Sequence, residues 1–391
     1  MHTGGESRVL IVGGGVGAIE ATLALRDLAG DRVRIEICTG RGDFVYRPFA
    51  VGEPYGASRV LRYDLERLAE SCGAEFRQEN IAAIDPERRC AVSHDQTEIP
   101  YDYLVVACGA RLLWSVPGAV TFWGAADQGE MQEIVARLRQ GRLRRLIFTM
   151  PGGHGWALPA YELALLAATE LQQAGIAGAR LTVVTPEDGP LQIFGRRACE
   201  QVAELLADHG IEVITGAHPV KYEQGALAIV PGGELEADAV ISLPRLEGRR
   251  IAGLPYDASG FIPVDDHCRI PGVPNAFAVG DVTTFPVKQG GIATQQADVA
   301  AETIAAELGR EVEAPPLDPV LRGILWTGAK PRYLFGWLGG GHGETSVASE
   351  RPQWPIDNPS KLIGRYLTPF LAEFGGDGNG HGNSSRHPQA A

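Results

Sequence analysis

Hydrophobic and polar positions at the start of the chain follow the pattern of a strand, a helix and a second strand. The stretch RVLIVGGG predicts a buried strand that begins near Val9 and ends in a glycine turn. GAIEATLALRDL follows with the spacing of a helix, and VRIEIC at 33–38 predicts the next strand. Together they predict a βαβ unit with a right-handed crossover.

The remaining pattern repeats this unit once and then changes. Residues 39–58 predict a Gly/Pro-rich loop, 60–72 a helix, and 81–110 a run of short strands. From about Thr121, helices again alternate with apolar strands, which predicts an α/β fold of tandem Rossmann-like domains. The boundaries that we predict are 1–118 with 250–310 for the first domain, 119–249 for the second, 311–374 for a small C-terminal domain and 375–391 for a disordered tail.

Composition and charge narrow the classes of function. The chain has 391 residues, 45% of them apolar, and its net charge of −13 disfavours nucleic acid as a partner. No stretch approaches the roughly 18 consecutive apolar residues of a membrane span, and the first strand begins too early for a signal peptide. We therefore expect a cytoplasmic protein. The six cysteines have neither metal-ligand nor redox spacing, and we predict no metal site.

The turn after the first strand carries a dinucleotide-binding fingerprint. Gly13, Gly15 and Ala18 match G-x-G-x-x-G/A, in which two glycines let a diphosphate approach and a small third residue allows helix packing. The acid that usually follows the second strand is absent, and Thr39 stands there as the candidate ribose contact. The residues predicted to hold the diphosphate at this helix amino terminus are Gly13, Gly15, Val16, Gly17 and Ala18.

Two later motifs complete a resemblance to a known family. ACG at 107–109 follows an apolar strand as an ATG-like turn does, and 280–281 form a late GD motif. With the fingerprint, residues 8 to about 310 resemble the two-dinucleotide flavoproteins of the pyridine nucleotide–disulfide oxidoreductase fold. The resemblance implies FAD in the first domain and an NAD(P)-binding-like second domain. The further cofactor contacts expected from it are Arg47, Ile81, Ala107, Cys108, Gly109, Gly280 and Asp281, with Asp281 on the ribityl chain.

Within that family, the chain most resembles sulfide:quinone and type II NADH:quinone oxidoreductases. The resemblance rests on GDFVYRPFAVGEP and on PVKQGGIATQQAD. It predicts that Lys288, Gln289 and Gly290 face the flavin isoalloxazine, where a helix amino terminus and the lysine charge would stabilise the anionic reduced form. On this hypothesis, Lys288→Ala lowers the flavin midpoint potential. The alternative for Lys288 is a solvated surface charge.

The cysteine pattern argues against thiol chemistry. When PAYE at 159–162 is aligned with the same segment of the sulfide:quinone oxidoreductases, Trp156 stands at a reactive cysteine, and no cysteine follows Cys268. The first helix is followed by no CxxxxC pair either. We therefore predict neither sulfide oxidation nor a disulfide relay.

The glycine turn of the second unit, 151–157, departs from a nucleotide-binding pattern because bulky residues replace small ones at the helix start. Glu187 lies near the place of a ribose-binding acid, while the arginines at 196–197 could meet a 2′-phosphate. Three interpretations stay open: the domain binds NAD(P)H, forms one wall of a quinone or other substrate pocket, or is architectural. His154 is a candidate proton relay to an acceptor, and the alternative is an exposed loop histidine.

The C-terminal region is rich in aromatic residues and has two interpretations. It packs against the first domain, or it makes peripheral membrane contact through Trp354, Leu362, Tyr366 and Phe370. If the region contacts a membrane, these four side chains should lie on one lipid-facing surface.

These features predict an FAD-dependent oxidoreductase that passes electrons from a reductant, above all NAD(P)H, through flavin to a quinone-like or other acceptor. The expected partners are a small-molecule donor and acceptor and no nucleic acid, while weak membrane contact and a homodimer stay open. Two alternatives remain: a non-turnover flavin-binding protein that responds to redox state, and a cysteine-independent quinone reductase with a degenerate NAD site.

Overall fold

The structure is a computed structural model that describes residues 6–124, 129–338, 347–350 and 361–376. The amino-terminal part contains ten strands and two α-helices among its described residues. They are β1 (Ser7–Val12), α1 (Val16–Ala29), β2 (Val33–Cys38), β3 (Asp43–Tyr46), β4 (Leu61–Asp64), α2 (Leu65–Ser71), β5 (Glu75–Arg77), β6 (Ile81–Asp85), β7 (Cys90–Ser93), β8 (Glu98–Pro100), β9 (Tyr103–Val106) and β10 (Arg111–Leu113).

The later part of the chain alternates helices and strands and ends in a small sheet and a helix. Its elements are β11 (Val120–Thr121), α3 (Gly129–Arg139), β12 (Arg145–Thr149), α4 (Leu158–Gln173), β13 (Arg180–Val184), α5 (Arg196–Asp208), β14 (Ile211–Ile214), β15 (His218–Glu223), β16 (Ala226–Val230), β17 (Gly233–Glu236), β18 (Ala239–Ser242), β19 (Arg245–Glu247), β20 (Ala276–Ala278), α6 (Gly290–Glu307), β21 (Val320–Leu325), β22 (Arg332–Trp337), β23 (Val347–Ser349) and α7 (Leu367–Gly376).

Two five-stranded parallel sheets form the framework. The first has the order β20-β9-β1-β2-β5, and the second has the order β11-β18-β12-β13-β14. Strand β1 is apolar on both faces: Val9 and Ile11 pack into one core cluster, and Leu10 and Val12 into another. Strands covered on both faces read as continuous apolar runs, which is why these segments were recognisable from the sequence. The predicted α/β class with tandem Rossmann-like folds is confirmed.

Small residues bring helices α1 and α6 close together beside the first sheet. A Cβ atom added at Gly17 would lie 3.2 Å from the Val279 side chain and 3.6 Å from the Ala293 carbonyl oxygen. Ala18 and Ala297 are both fully buried in the same cluster. This contact fixes the start of both helices at the carboxyl edge of the sheet, where the β1 and β20 turns lie.

The segment 39–72 differs from its prediction. Residues 43–46 and 61–64 form an antiparallel pair, so the helix predicted from residue 60 begins only at Leu65. Asp64 caps that helix, since its side chain accepts a hydrogen bond from the backbone of Arg67 at 2.9 Å. The predicted loop also contains a 3₁₀-helix, Arg47–Gly52. Alternating exposure at 61–64 is a strand period that the helix prediction overlooked.

The C-terminal helix α7 is attached to α1 through a buried acid. Glu20 is fully buried and accepts hydrogen bonds from the backbone amides of Tyr366 (2.9 Å) and Leu367 (2.6 Å). Its neighbour on α6, Asp298, is also enclosed. Burial and the charge of Glu20 raise the pKa of Asp298 to about 8, against a smaller opposing effect of Arg365. The two carboxyl groups therefore hold a proton between them at neutral pH.

This arrangement bears on the membrane interpretation. Leu362 is buried, and the Tyr366 hydroxyl donates to Asp27 at 3.2 Å, while Phe370 stacks on Phe374. Trp354 and nearly all of the predicted tail lie outside the described residues. Of the helices in the described ranges, none has the length and apolarity that crossing a bilayer requires.

The shared proton predicts how stability depends on pH. Because the pKa of Asp298 is about 8 in the folded chain and ordinarily 3.8, the folded state holds the proton more tightly. The free energy of unfolding should fall as pH rises from about 4 to 8. Asp298→Asn should remove much of this decline. At pH 8, its free energy of unfolding should exceed that of wild type by more than about 1 kcal/mol.

Urea unfolding followed by tryptophan fluorescence at several pH values measures this effect. Asp208→Asn, at an exposed position of α5, is the control and should keep the wild-type slope. Parallel curves for wild type and Asp298→Asn would contradict the shared-proton account.

Candidate functional site

One large cavity lies where the carboxyl ends of the two parallel sheets meet. Its volume is about 1590 Å³, and it is lined by turns from both sheets and by the C-terminal segment. The lining segments include 12–17, 107–112, 150–159, 279–281 and 285–291, with Lys361 and Leu362. Crevices at the carboxyl ends of parallel strands are the usual ligand sites of such sheets.

The structure brings the predicted cofactor residues together at this cavity. Ala18 is the exception, since it is buried in the α1 packing. The residues that line the cavity are Gly13, Gly15, Val16, Gly17, Thr39, Arg47, Ile81, Ala107, Cys108, Gly109, Glu187, Gly280, Asp281, Lys288, Gln289 and Gly290, together with His154.

The turn after β1, residues 13–17, has a backbone geometry that suits a diphosphate, and we call it the β1 cradle. Gly13 has φ +134°, and a Cβ atom there would lie 2.3 Å from the Ala107 carbonyl oxygen, so only glycine fits. Gly15, in contrast, has open space on its Cβ side and faces the cavity. It precedes α1, whose first turn contains no acidic residue and so keeps its positive end uncompensated.

Three arginines of the cavity wall form no salt bridge among the residues that the structure describes. Arg41, Arg47 and Arg249 line the cavity, and their guanidinium groups make no hydrogen bond within the described ranges. Burial lowers the pKa of Arg47, and Arg41 and Arg249 add repulsion, while Asp281 opposes the shift. Guanidinium groups that line a cavity without a salt-bridge partner fit an anionic ligand such as a diphosphate.

The turn that carries Asp281 is held by Gln296, which was not among the predicted site residues. Gly280 has φ +77°, and its amide donates to Oε1 of the fully buried Gln296 at 2.7 Å. This bond anchors the turn to α6 and directs the next residue to the cavity. Burial raises the pKa of Asp281, and Lys288 and Arg47 oppose that effect. Glutamines on an apolar helix face, such as GIATQQAD, are the sequence signal that was available.

Lys288 is a buried cation, so the solvated-surface alternative is wrong. Its side chain is 4% exposed, donates to the carbonyl oxygen of Thr283 and lies 3.8 Å from the centroid of the Phe261 ring. Burial lowers its pKa to about 8, while Asp281 and Asp257 act in the opposite direction. The group is therefore able to gain or lose a proton near neutral pH.

Gln289 and Glu187 already have protein partners. The Gln289 amide accepts from Ile292 at 3.1 Å and donates to the Arg322 carbonyl at 2.8 Å, so it caps α6. Glu187 accepts hydrogen bonds from the Tyr161 hydroxyl at 2.7 Å and from Thr185 at 3.1 Å. One carboxylate oxygen of the predicted ribose acid is thus engaged inside the second domain.

An ion pair at the far wall of the cavity was also missed. Lys361 Nζ lies 2.6 Å from Oε1 of Glu162, with side chains only 5% and 1% exposed. The Trp326 amide donates to the same oxygen at 2.9 Å, and its ring lies 4.2 Å from Nζ. Burial raises the pKa of Glu162 and lowers that of Lys361, and each partner opposes the shift of the other.

Lysine is rare in this chain, which gives the two cavity lysines weight. Only four of the 35 basic residues are lysines: Lys221, Lys288, Lys330 and Lys361. Lys221 and Lys330 are exposed, whereas the other two are buried at the cavity and lie over aromatic rings. Arginine stays charged in proteins, while lysine can release a proton when buried. Two of the four lysines therefore line the cavity, where a side chain that can release a proton is useful.

The cavity thiols are poor nucleophiles. Cys38 and Cys108 line the cavity, and burial raises their pKa values to about 12 and about 11. All six cysteines lie within the described residues and are free. Since the thiolate is the reactive form, burial makes these two thiols poorly suited to nucleophilic chemistry.

Comparisons with known proteins agree with this geometry. The sequence profile described as pyridine nucleotide-disulphide oxidoreductase matches residues 7–302. The sulfide-quinone reductase of Aquifex aeolicus is 27% identical over 297 residues, covering 71% of this chain and 69% of that protein. A type II NADH:quinone oxidoreductase of Mycobacterium tuberculosis is 26% identical over 352 residues, covering 77% and 73%.

Solved structures share the fold. The sulfide:quinone oxidoreductase of Aquifex aeolicus has a TM-score of 0.77 at 24% identity, with 84% of this chain and 83% of that chain covered. An NDH2 of Plasmodium falciparum in complex with NADH has a TM-score of 0.67 at 11% identity, covering 95% and 94%. At these identities the likeness concerns the fold alone.

The open side of Gly15 gives a test of the cradle. Gly15→Ala adds a methyl group that meets no protein atom within 4 Å but enters the cavity. The variant should therefore keep the melting temperature of the cofactor-free protein and bind FAD at least about 10-fold more weakly, since the cradle needs close backbone approach.

Isothermal titration with FAD and thermal melting of the same preparations provide both readings. Unchanged FAD affinity in Gly15→Ala would show that the diphosphate does not lie at this turn.

Proposed function

Since the chain belongs to the pyridine nucleotide-disulphide oxidoreductase family, we propose that it is an FAD-dependent reductase of a quinone-like acceptor, with NAD(P)H as its electron donor. One observation carries the proposal: a single cavity joins the β1 cradle to a buried, proton-bearing ion pair, Glu162–Lys361. Reduction of a quinone takes up two protons with two electrons, so the acceptor needs such a group nearby.

The residues of the first sheet fit FAD. Gly13, Gly15 and the α1 amino terminus would hold the diphosphate, aided by Arg47, and Asp281 would hold the ribityl chain. Bound FAD supplies the capacity to accept a hydride and to pass electrons on. The protein's contribution is to orient it and to place charges around it. Lys288, on which Asp281 acts electrostatically, would be a cation beside the flavin in this proposal.

The second domain offers the donor a place at the same cavity. Residues 151–157, Pro186 and Glu187 line it at the carboxyl ends of β12 and β13, where Rossmann folds receive a nucleotide. Gly153, with φ +97°, has open space on its Cβ side. Relatives whose names specify NADH support this choice of donor.

The acceptor would lie against the apolar part of the wall. Trp156, Phe285, Ile324 and Leu338 provide a surface that suits a planar, weakly polar ring. Lys361 lines the same cavity and could donate a proton to an acceptor oxygen, with Glu162 stabilising its charged form. NAD(P)H and one further proton would then balance the reduction of one quinone to a quinol.

A second candidate is a flavin-binding protein without turnover. Two observations favour it: Glu187 accepts a hydrogen bond from Tyr161, and the backbone of Gly155 is hydrogen-bonded to residues 286–288. These bonds leave fewer polar groups available to a nucleotide. Stopped-flow mixing under anaerobic conditions separates the two. The reductase should lose its flavin absorbance near ~450 nm within seconds of mixing with NADH or NADPH and regain it with a soluble quinone. Persistent yellow colour with both nucleotides favours the second candidate.

The ion pair predicts a defect confined to the oxidative half-reaction. Glu162→Gln with Lys361→Met removes both charges together, since breaking a buried pair from one side costs about 3–5 kcal/mol. The double variant should slow reoxidation by quinone roughly 10-fold or more, because the acceptor loses its proton donor. Flavin reduction by NAD(P)H should stay near the wild-type rate.

Lys330→Met, an exposed lysine, serves as the control and should leave both half-reactions unchanged. Ferricyanide, which takes up electrons without protons, should reoxidise the double variant at the wild-type rate. Equal slowing with quinone and ferricyanide would refute the proton-donor role.

A further inference from the structure

The glycine turn 151–155 is docked on the segment that carries Lys288. The Gly155 amide donates to the Pro286 carbonyl at 3.3 Å, and the Lys288 amide donates to the Gly155 carbonyl at 3.2 Å. Gly155 and Val287 thus form an isolated parallel bridge between the second domain and the first. Both backbone polar groups of Gly155 are committed to this contact.

The same turn supports the side chain of Lys288 through an aromatic ring. His154 packs on Phe261 with ring centroids 4.9 Å apart, and the Lys288 ammonium lies 3.8 Å from the Phe261 centroid. Phe261 is fully buried, and the Thr283 carbonyl accepts a hydrogen bond from the ammonium. The cation therefore has a ring on one side and a carbonyl oxygen as its acceptor.

The charged groups that act on Lys288 are Asp281 and Asp257, and the imidazole ring of His154 is packed on the same Phe261. A ring face and a carbonyl oxygen both favour the ammonium over the neutral amine. Removing either contact should make the charged form less stable. Lysine is the residue type that can respond in this way, since arginine would stay charged.

We propose that the turn 151–155 and Phe261 form a positioning clamp for Lys288, which fixes the place and the charge of this cation beside the bound flavin. The proposal rests on the proposed function for the identity of the flavin, but the clamp itself belongs to the protein. On this proposal, the turn 151–155, which departs from the nucleotide-binding pattern, positions a side chain of the first domain. A phosphate-binding turn does not do this. The second domain thereby acts on the redox potential of the first through Gly155, His154 and Phe261, which are positioning residues.

Because the chain has only four lysines, the titration of Lys288 can be followed directly by NMR. Protein labelled with ¹³C at lysine Cε should give four side-chain signals, and the signal lost in Lys288→Arg identifies Lys288. In cofactor-free wild type, we expect it to titrate near the pKa of about 8. Phe261→Leu should lower this value by about 0.5–1 pH unit, the equivalent of a cation–π contact.

Two matched pairs of variants separate the clamp from general loss of packing. Phe277→Leu removes another fully buried ring that carries a cation, Arg269 at 5.1 Å, and should leave the Lys288 titration unchanged. Gly155→Pro removes the amide donor, whereas Gly155→Ala keeps it in open space. Only the proline variant should shift the Lys288 signal. His154→Ala provides a further reading if a variant fails to fold.

The second measurement uses the FAD-bound protein and follows the flavin midpoint potential as a function of pH. The change of slope near pH 8 should move to lower pH in Phe261→Leu and stay in place in Phe277→Leu. Unchanged Lys288 titration in Phe261→Leu, Gly155→Pro and His154→Ala would overturn the clamp. Failure to bind FAD would instead overturn the proposed function, since the lysine titration is measured without cofactor.

Discussion

The close contact between helices α1 and α6 is the constraint on which the rest of the structure depends. A Cβ atom at Gly17 would lie only 3.2 Å from the side chain of Val279, and Ala18 fills the adjoining space. Since both helices start at the same edge of the sheet, their amino termini and the turns before them face one cavity. The turn at Gly15 and the acid at Asp281 come together for this reason, although they are 266 positions apart in the sequence.

Basic residues divide into two classes at the cavity. Arginines that form no salt bridge among the described residues, such as Arg47, supply permanent positive charge in a chain whose net charge is −13. The two buried lysines are instead balanced by ring faces and by nearby carboxylates, and burial lowers the pKa of each. Permanent charge suits the binding of an anion, while a titratable cation suits proton transfer or control of charge. This distribution suits the proposed reduction of a quinone-like acceptor, which consumes protons.

Local pattern predicted the elements that carry glycine turns and continuous apolar strands, and so it located the turn at Gly13, whereas Gly280 and Asp281 were named from the family resemblance. It did not predict contacts that join single polar residues far apart, such as Glu162 with Lys361 or Gln296 with Gly280. A lone charge on an apolar helix indicates a partner without indicating where it lies. The hairpin at 43–64 was overlooked because its strands have four residues each. Such a short alternation of polar and apolar residues cannot be distinguished from a loop or a helix.

The central claim is that the cavity holds FAD, and the cofactor content of the purified protein tests it most directly. Protein reconstituted with excess FAD and freed of unbound flavin should release about one FAD per chain on denaturation, as measured by absorbance and chromatography. A colourless protein that retains neither FAD nor any other flavin after reconstitution would contradict the account.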